Sequence, residues 1–142
     1  GHSGNEVLLL KKFNISKIKK YIKKYGYVIF QKFLPQISKG DKRVFIINGK
    51  IKGSISRVPK KKSILSNMSK GAIAKAINLT KKEIEISKKV AVLLKKENIY
   101  FAGIDFINEK LIGDINVTSP TGLVSYYELT KINLAKYFWD NI

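Results

Sequence analysis

Apolar positions recur along this chain with two periods, close to two in some stretches and close to 3.6 in others, and the alternation sketches its elements. Glu6 to Leu10 reads as a strand. Ser16 can cap a short helix that carries Ile18, Tyr21, Ile22 and Tyr25 on one face and closes at Gly26. Tyr27 to Phe33 reads as a second strand, ended by Leu34-Pro35. Lys42 to Ile47 and Lys50 to Val58 flank Asn48-Gly49, the strongest hairpin signal in the chain. Pro59 to Gly71 has little periodicity and is expected to be a mobile loop. Thr80-Lys81-Lys82-Glu83 is a capping box, and it opens a helix with Ile84, Ile86, Val90, Ala91, Leu93 and Leu94 on its apolar face. Tyr100 to Ile107 and Leu111 to Val117 form another hairpin, with Glu109-Lys110 as its turn. Tyr126 to Ile142 is expected to be helical, packing through Leu129, Leu134, Tyr137, Phe138 and Trp139. Strands and helices mixed in this order, with two hairpins, predict an α+β fold with a largely antiparallel sheet and flanking helices.

The last hairpin carries the most suggestive chemistry. With the turn at Glu109-Lys110, Asp105 faces Asp114, Ile104 faces Ile115 on the other side, and Asn116 shares the face of Asp114. Two carboxylates opposed across a ladder repel. A hard divalent cation such as Mg²⁺ between them reverses that, since it prefers carboxylate and amide oxygens. The same spacing also suits an ordinary ribbon with polar residues on its wet face.

Composition limits the alternatives. The 142 residues suit one domain, and 44% hydrophobic content supports a folded chain rather than a disordered one. No run approaches the roughly 18 apolar residues of a membrane span, and no basic-then-apolar signal peptide stands at the start, so a soluble protein is expected. There is no cysteine, which excludes a disulfide frame, a thiolate nucleophile and a zinc–thiolate site. His2 is the only histidine and supports no catalytic role alone. The net charge of +18 raises nucleic acid as a partner. Only Arg43 and Arg57 are arginine, however, and the lysines are spread through every segment. Base-edge recognition favours arginine's planar fork, so the charge reads as a lysine-rich surface without a specific nucleic-acid partner.

Three further constellations carry chemistry. Gln31-Lys32-Phe33-Leu34-Pro35 ends a strand with free backbone groups and an aromatic ring; it suits a purine, or is simply a strand leaving a sheet at proline. Gly40-Asp41-Lys42-Arg43 stands at the mouth of a strand whose partner ends near Arg57. Two arginines in a chain of lysines, on paired strands, can converge on one anion. Thr118-Ser119-Pro120-Thr121-Gly122 offers hydroxyls and amides to a carboxylate or phosphate, and is equally good turn chemistry.

Together these stretches resemble the C-terminal part of bacterial glutathione synthetase, a ligase of the ATP-grasp superfamily. The resemblance runs nearly end to end, through Gln31 to Pro35, Gly40 to Val44, Ser56-Arg57-Val58-Pro59, Gly103-Ile104-Asp105 and Asp114 to Gly122, to Trp139-Asp140. It implies that residues 1–142 form the C-terminal lobe of an ATP-grasp domain, lacking the N-terminal substrate domain and the first part of the ATP-binding lobe. Gly1-His2-Ser3-Gly4, otherwise readable as a tag remnant, then resembles the end of a glycine-rich loop that covers phosphates. The implied activity joins γ-glutamylcysteine to glycine with ATP, through an acyl phosphate. Gln31, Lys32, Phe33 and Leu34 would line the adenine pocket, and Asp41 would lie near the ribose. Arg43 and Arg57 would hold the transferred phosphoryl group. Asp105, Asp114 and Asn116 would bind Mg²⁺ or Mn²⁺, with Asn67, Ser119 and Thr121 near the substrate. A homo-oligomeric, cytoplasmic enzyme is implied, and the chain by itself is expected to be inactive.

The sequence departs from the family's pattern at three points. Asp114 stands where the family usually has glutamate, the hairpin is one residue longer, and the loop around Leu65-Ser66-Asn67-Met68 lacks the usual arginine and double glycine. Another ATP-grasp peptide ligase and a basic nucleic-acid-binding module are the competing readings.

Overall fold

The computed structural model describes residues 6–59 and 72–142. The chain divides into two units, Gly1–Pro35 and Gln36–Ile142. In the first, helix α1 (Ile15–Tyr25) ends at Gly26, whose φ of 75° is the left-handed stop that glycine permits. Its cap is Asn14 rather than Ser16: the Asn14 side chain accepts from the Lys17 amide at 2.9 Å. The Tyr21 hydroxyl donates to the Glu6 carbonyl. Neither expected strand of this unit forms among the described residues. Glu6 to Leu10 and Tyr27 to Phe33 lie outside any strand, and Tyr27, Ile29 and Phe30 are exposed. A strand is completed by a neighbour's hydrogen bonds, so an apolar alternating run without such a neighbour stays irregular.

The second unit is built on one antiparallel sheet of five strands among the described residues, in the order β3-β2-β1-β4-β5. These are β1 (Asp41–Ile47), β2 (Lys50–Val58), β3 (Ile73–Ala76), β4 (Phe101–Ile107) and β5 (Lys110–Asn116). The edge strand β3 went unforeseen, because four residues give the alternation too little length to register. The β1–β2 turn is Asn48-Gly49, both at positive φ, as a two-residue turn between twisted strands requires. Pro59 to Gly71, expected to be a mobile loop, lies outside the described residues except for Pro59.

Alternation sends the sheet's apolar residues to two layers. Val44, Ile46, Ala102, Ile104 and Phe106 pack against Val90, Ala91 and Leu94 of α2 (Lys81–Lys96). Phe45, Ile47 and Ile55 pack on the other side against Tyr126 and Leu134, from α3 (Leu123–Thr130) and α4 (Leu134–Trp139). The expected single C-terminal helix is thus two helices. Thr130 Oγ1 donates to the Tyr126 carbonyl and accepts from the Ile132 amide, Lys131 turns to φ 62°, and Asn133 caps α4 through the Lys136 amide. Of its expected packing residues, Leu134 is buried, whereas Leu129 and Trp139 are exposed.

The capping box of α2 forms as expected and reaches further than the sequence suggests. Glu83 Oε2 accepts from the Thr80 amide and from Lys42 Nζ, each at 2.8 Å, with Glu83 fully buried. Its Oε1 and the Ser87 hydroxyl are buried without partners among the described residues. The apolar face also turns out narrower: Leu93 is exposed, and Ser87 takes a buried place.

Candidate functional site

The polar residues singled out on the sequence gather on the α3/α4 side of the sheet, beyond the end of its apolar layer. Register explains how. On an unbroken β1–β2 ladder from the Asn48-Gly49 turn, Asp41 would face Ser56 and Arg57 would point to the α2 side. A one-residue bulge lies between Phe45↔Gly53 and Ile46↔Ile51, so Asp41 faces Arg57 and the two share a side with Arg43. Arg43 in turn faces Asp105 across the β1–β4 ladder.

The β4–β5 hairpin corrects the expected turn. Ile107 pairs with Lys110, so the turn is Asn108-Glu109, both at positive φ. Asparagine tolerates the left-handed region better than most residues, which favours Asn108 inside the turn. Between Phe106↔Leu111 and Ile104↔Ile115 the register shifts, and one residue of β4, Asp105, stands against three of β5. The Ile104–Ile115 pairing therefore holds as expected. Asp105 and Asp114 are not a ladder pair but interact across this bulge. A shift of two positions preserves the face, so Asp114 stays on the side of Asp105.

The side chains form one buried ionic cluster. Arg43 donates from Nε to Asp105 Oδ1 and from Nη2 to Asp105 Oδ2, both at 2.7 Å. Arg57 Nη2 reaches Asp105 Oδ2 at 2.8 Å, and Arg57 also binds both oxygens of Asp41, with Nε to Oδ1 at 2.8 Å. All four residues are at most 4% exposed. Burial opposes the charge on Arg57, but its hydrogen bonds to Asp41 and the charges of Asp105 and Asp41 outweigh this, and its pKa is raised. Asp114 stands at the rim, half-exposed, with Arg43 Nη2 3.7 Å away. Burial first, then the Asp105 carboxylate, raises its pKa, against the pull of Arg43 and Arg57.

The Ser119 loop is tied to this cluster. Asn116 Oδ1 accepts from the Thr118 and Ser119 amides at 3.2 and 3.0 Å, and its Nδ2 donates to the Ser119 carbonyl at 3.3 Å. Arg43 Nη1 donates to the Thr121 carbonyl at 3.3 Å. Gly103 makes room for this arrangement: a Cβ there would lie 3.0 Å from Pro120 Cβ and 3.3 Å from Arg43 Cδ and Nε. The sequence offered Gly103 only as part of a motif, with nothing to say what its missing side chain accommodates.

The structure thus brings together Asp41, Arg43, Arg57, Asp105 and Asp114, with Asn116 and the loop of Ser119 and Thr121 alongside. Gln31, Lys32, Phe33 and Leu34 belong to the first unit, with Leu34 partly buried and the others exposed. Asn67 lies outside the described residues. Both oxygens of Asp41 accept from Arg57 and the residue is buried, so a ribose hydroxyl would share this carboxylate with the guanidinium. The surface hollow lined by Gly53, Ser54, Ala76 and Tyr126 carries no charged side chain and lies apart from this chemistry.

The donor set fits a hard divalent cation. It is made only of oxygen, with two carboxylates held close enough that Asp105 raises the pKa of Asp114, and an amide on the same strand. No group of three His, Cys, Asp or Glu side chains suits a metal among the described residues; a third protein oxygen would have to come from Asn116, whose Oδ1 accepts here from the Thr118 and Ser119 amides.

A five-stranded antiparallel sheet with helices on both sides, and with paired arginines and carboxylates at one end, is the architecture expected of part of an ATP-grasp ligase. The sequence profile described as prokaryotic glutathione synthetase, ATP-grasp domain, matches residues 1–131, and the chain belongs to that family. It is 47% identical over 96 residues to the glutathione synthetase of Prochlorococcus marinus subsp. pastoris, covering 68% of this chain and 31% of the relative. With the glutathione synthetase of Bradyrhizobium diazoefficiens it shares 40% identity over 114 residues, covering 80% of this chain and 36% of that protein. The match to the Buchnera aphidicola subsp. Baizongia pistaciae glutathione synthetase covers all of this chain and 45% of the relative, at 36% identity. The chain therefore spans less than half the length of these relatives.

Proposed function

We propose that this chain supplies the cation-binding and phosphoryl-binding part of an ATP-dependent ligase that joins γ-glutamylcysteine to glycine. The observation that carries the reading is the convergence of Arg43, Arg57 and Asp105 on one sheet face with Asp114 beside them, in a chain of this family.

In this reading Asp105, Asp114 and Asn116 hold Mg²⁺ or Mn²⁺, which supplies neutralisation of the phosphate charge. Arg43 and Arg57 orient the phosphoryl oxygens as the γ-phosphoryl group passes from ATP to the γ-glutamylcysteine carboxylate and ADP departs. The glycine amine then attacks the acyl carbon, phosphate leaves, and the amine's proton passes to the medium. Such a step depends on positioning and charge neutralisation, which planar guanidinium groups provide with two donors each. Asp41 serves by holding Arg57. Gln31 to Leu34 line the adenine, largely through backbone, while Asn67, Ser119 and Thr121 stand near the peptide substrate. A homo-oligomeric, cytoplasmic full-length protein goes with this reading, and the 142 residues alone bind nucleotide without completing ligation.

Calorimetry with Mg²⁺ and a non-hydrolysable ATP analogue tests it. Weak binding that Asp105→Asn abolishes is expected; binding indifferent to that substitution would overturn the reading. Robust glutathione formation by the purified chain would contradict the claim that it does not ligate alone.

A further inference from the structure

Asp105 has little left to offer a newcomer. Of the roughly four lone-pair positions of a carboxylate, one on Oδ1 and one on Oδ2 are taken by Arg43 at 2.7 Å, and a second on Oδ2 by Arg57 at 2.8 Å. The residue is 3% exposed, so water does not share the load. A divalent cation would have to come within roughly 2.0–2.6 Å of these same oxygens, depending on its size. It would also stand among two guanidinium charges that repel it.

Each arginine has somewhere else to go. Arg57 keeps both oxygens of Asp41 if it releases Asp105. Arg43 already holds the Thr121 carbonyl through Nη1 and has Asp114 3.7 Å from Nη2. The two guanidiniums face three carboxylates, so a bare dication leaves the cluster with excess positive charge. An incoming polyphosphate removes that excess and gives the freed guanidiniums an anion to bind.

We infer that Arg43 and Arg57 occupy the cation's place on Asp105, and that metal–nucleotide loads by exchange, displacing the guanidiniums from Asp105 onto phosphate. The inference rests on the proposed use of Asp105 as a cation ligand. Exchange also frees Arg43 to move relative to Thr121, linking occupancy of the cluster to the Thr118–Gly122 loop.

The chain's two arginines make the test direct, because protein labelled with ¹⁵N-arginine gives two Nε–Hε signals. On adding Mg²⁺ with a non-hydrolysable ATP analogue, both signals should shift. The Arg43 signal should shift because its Nε–H leaves Asp105 Oδ1 for a phosphate oxygen, one charged acceptor replacing another. Arg43→Lys keeps the charge and loses the two-pronged grip, so it should bind Mg²⁺ alone about three- to tenfold more tightly than the unmodified chain. If Arg43→Lys fails to fold, the arginine spectra of the unmodified chain decide. Calorimetric binding of Mg²⁺-nucleotide with both arginine signals unshifted would overturn the exchange and leave the cation reading standing. Binding that is absent, or indifferent to Asp105→Asn, would remove both.

Discussion

Asp114 holds its proton more tightly in the folded chain than in the unfolded one, and the consequence for stability has a definite sign. Its pKa is raised from 3.8 by burial and then by Asp105. The folded state therefore binds more protons through the window above 3.8, and this group's contribution to stability falls as pH rises through the folded pKa. Asp114→Asn should raise the melting temperature at neutral pH and flatten its decline as pH rises from 3.8 through the folded pKa, which thermal melts over a pH series would measure. Gly103 has the opposite sensitivity. An alanine there meets Pro120 and the Arg43 side chain at contact distance or closer, and Gly103→Ala should cost about 1–3 kcal/mol in urea denaturation. The same substitution should weaken Mg²⁺-nucleotide binding, because Arg43 must shift.

Among the elements, α2 has an N-terminus that does two tasks. Thr80→Ala removes the acceptor for the Glu83 amide and should cost about 1 kcal/mol. Glu83→Ala should cost more, roughly 2–4 kcal/mol, since it also leaves Lys42 without its partner beside a buried hole; equilibrium denaturation of both variants orders them. The capping box was legible because its signature is local, at a spacing of three residues. The inward aim of Glu83 toward Lys42 was not, because it depends on where β1 lies under the helix. The hairpins divide in the same way. Asn48-Gly49 located its turn from residue type alone, whereas Asn108-Glu109 was displaced by one position because Glu109 adopts φ 62° against its preference.

For the whole molecule, charge and core make separate predictions. With a net charge of +18, the chain should adhere to oligonucleotides at low salt and release them steeply as salt rises. Filter binding should give the same salt slope for Asp105→Asn, since this adhesion belongs to the lysine surface and not to the cluster. No helix among the described residues is long and apolar enough to cross a membrane. The two layers flanking the sheet followed from alternation along β1 and β4, where nearly every residue is buried on one side or the other. The apolar runs of the first unit did not become strands, because periodicity records a face to be buried and not the neighbour that would bury it.

The sequence by itself determined the residue types that can bind cations and phosphate, the α2 cap, the Asn48-Gly49 turn and the antiparallel α+β class. Each is written in contacts a few residues apart or in a short repeating period. Only the tertiary structure decided that Arg57 shares a face with Asp41, because a single bulged position in β2 reverses every side chain beyond it. It likewise decided that both arginines hold Asp105, whose carboxylate lies 62 residues from Arg43 along the chain and 2.7 Å away in space. The hairpin spacing marked Asp105 and Asp114 as a possible cation pair; burial, register and the missing side chain of Gly103 determine which charges Asp105 meets first.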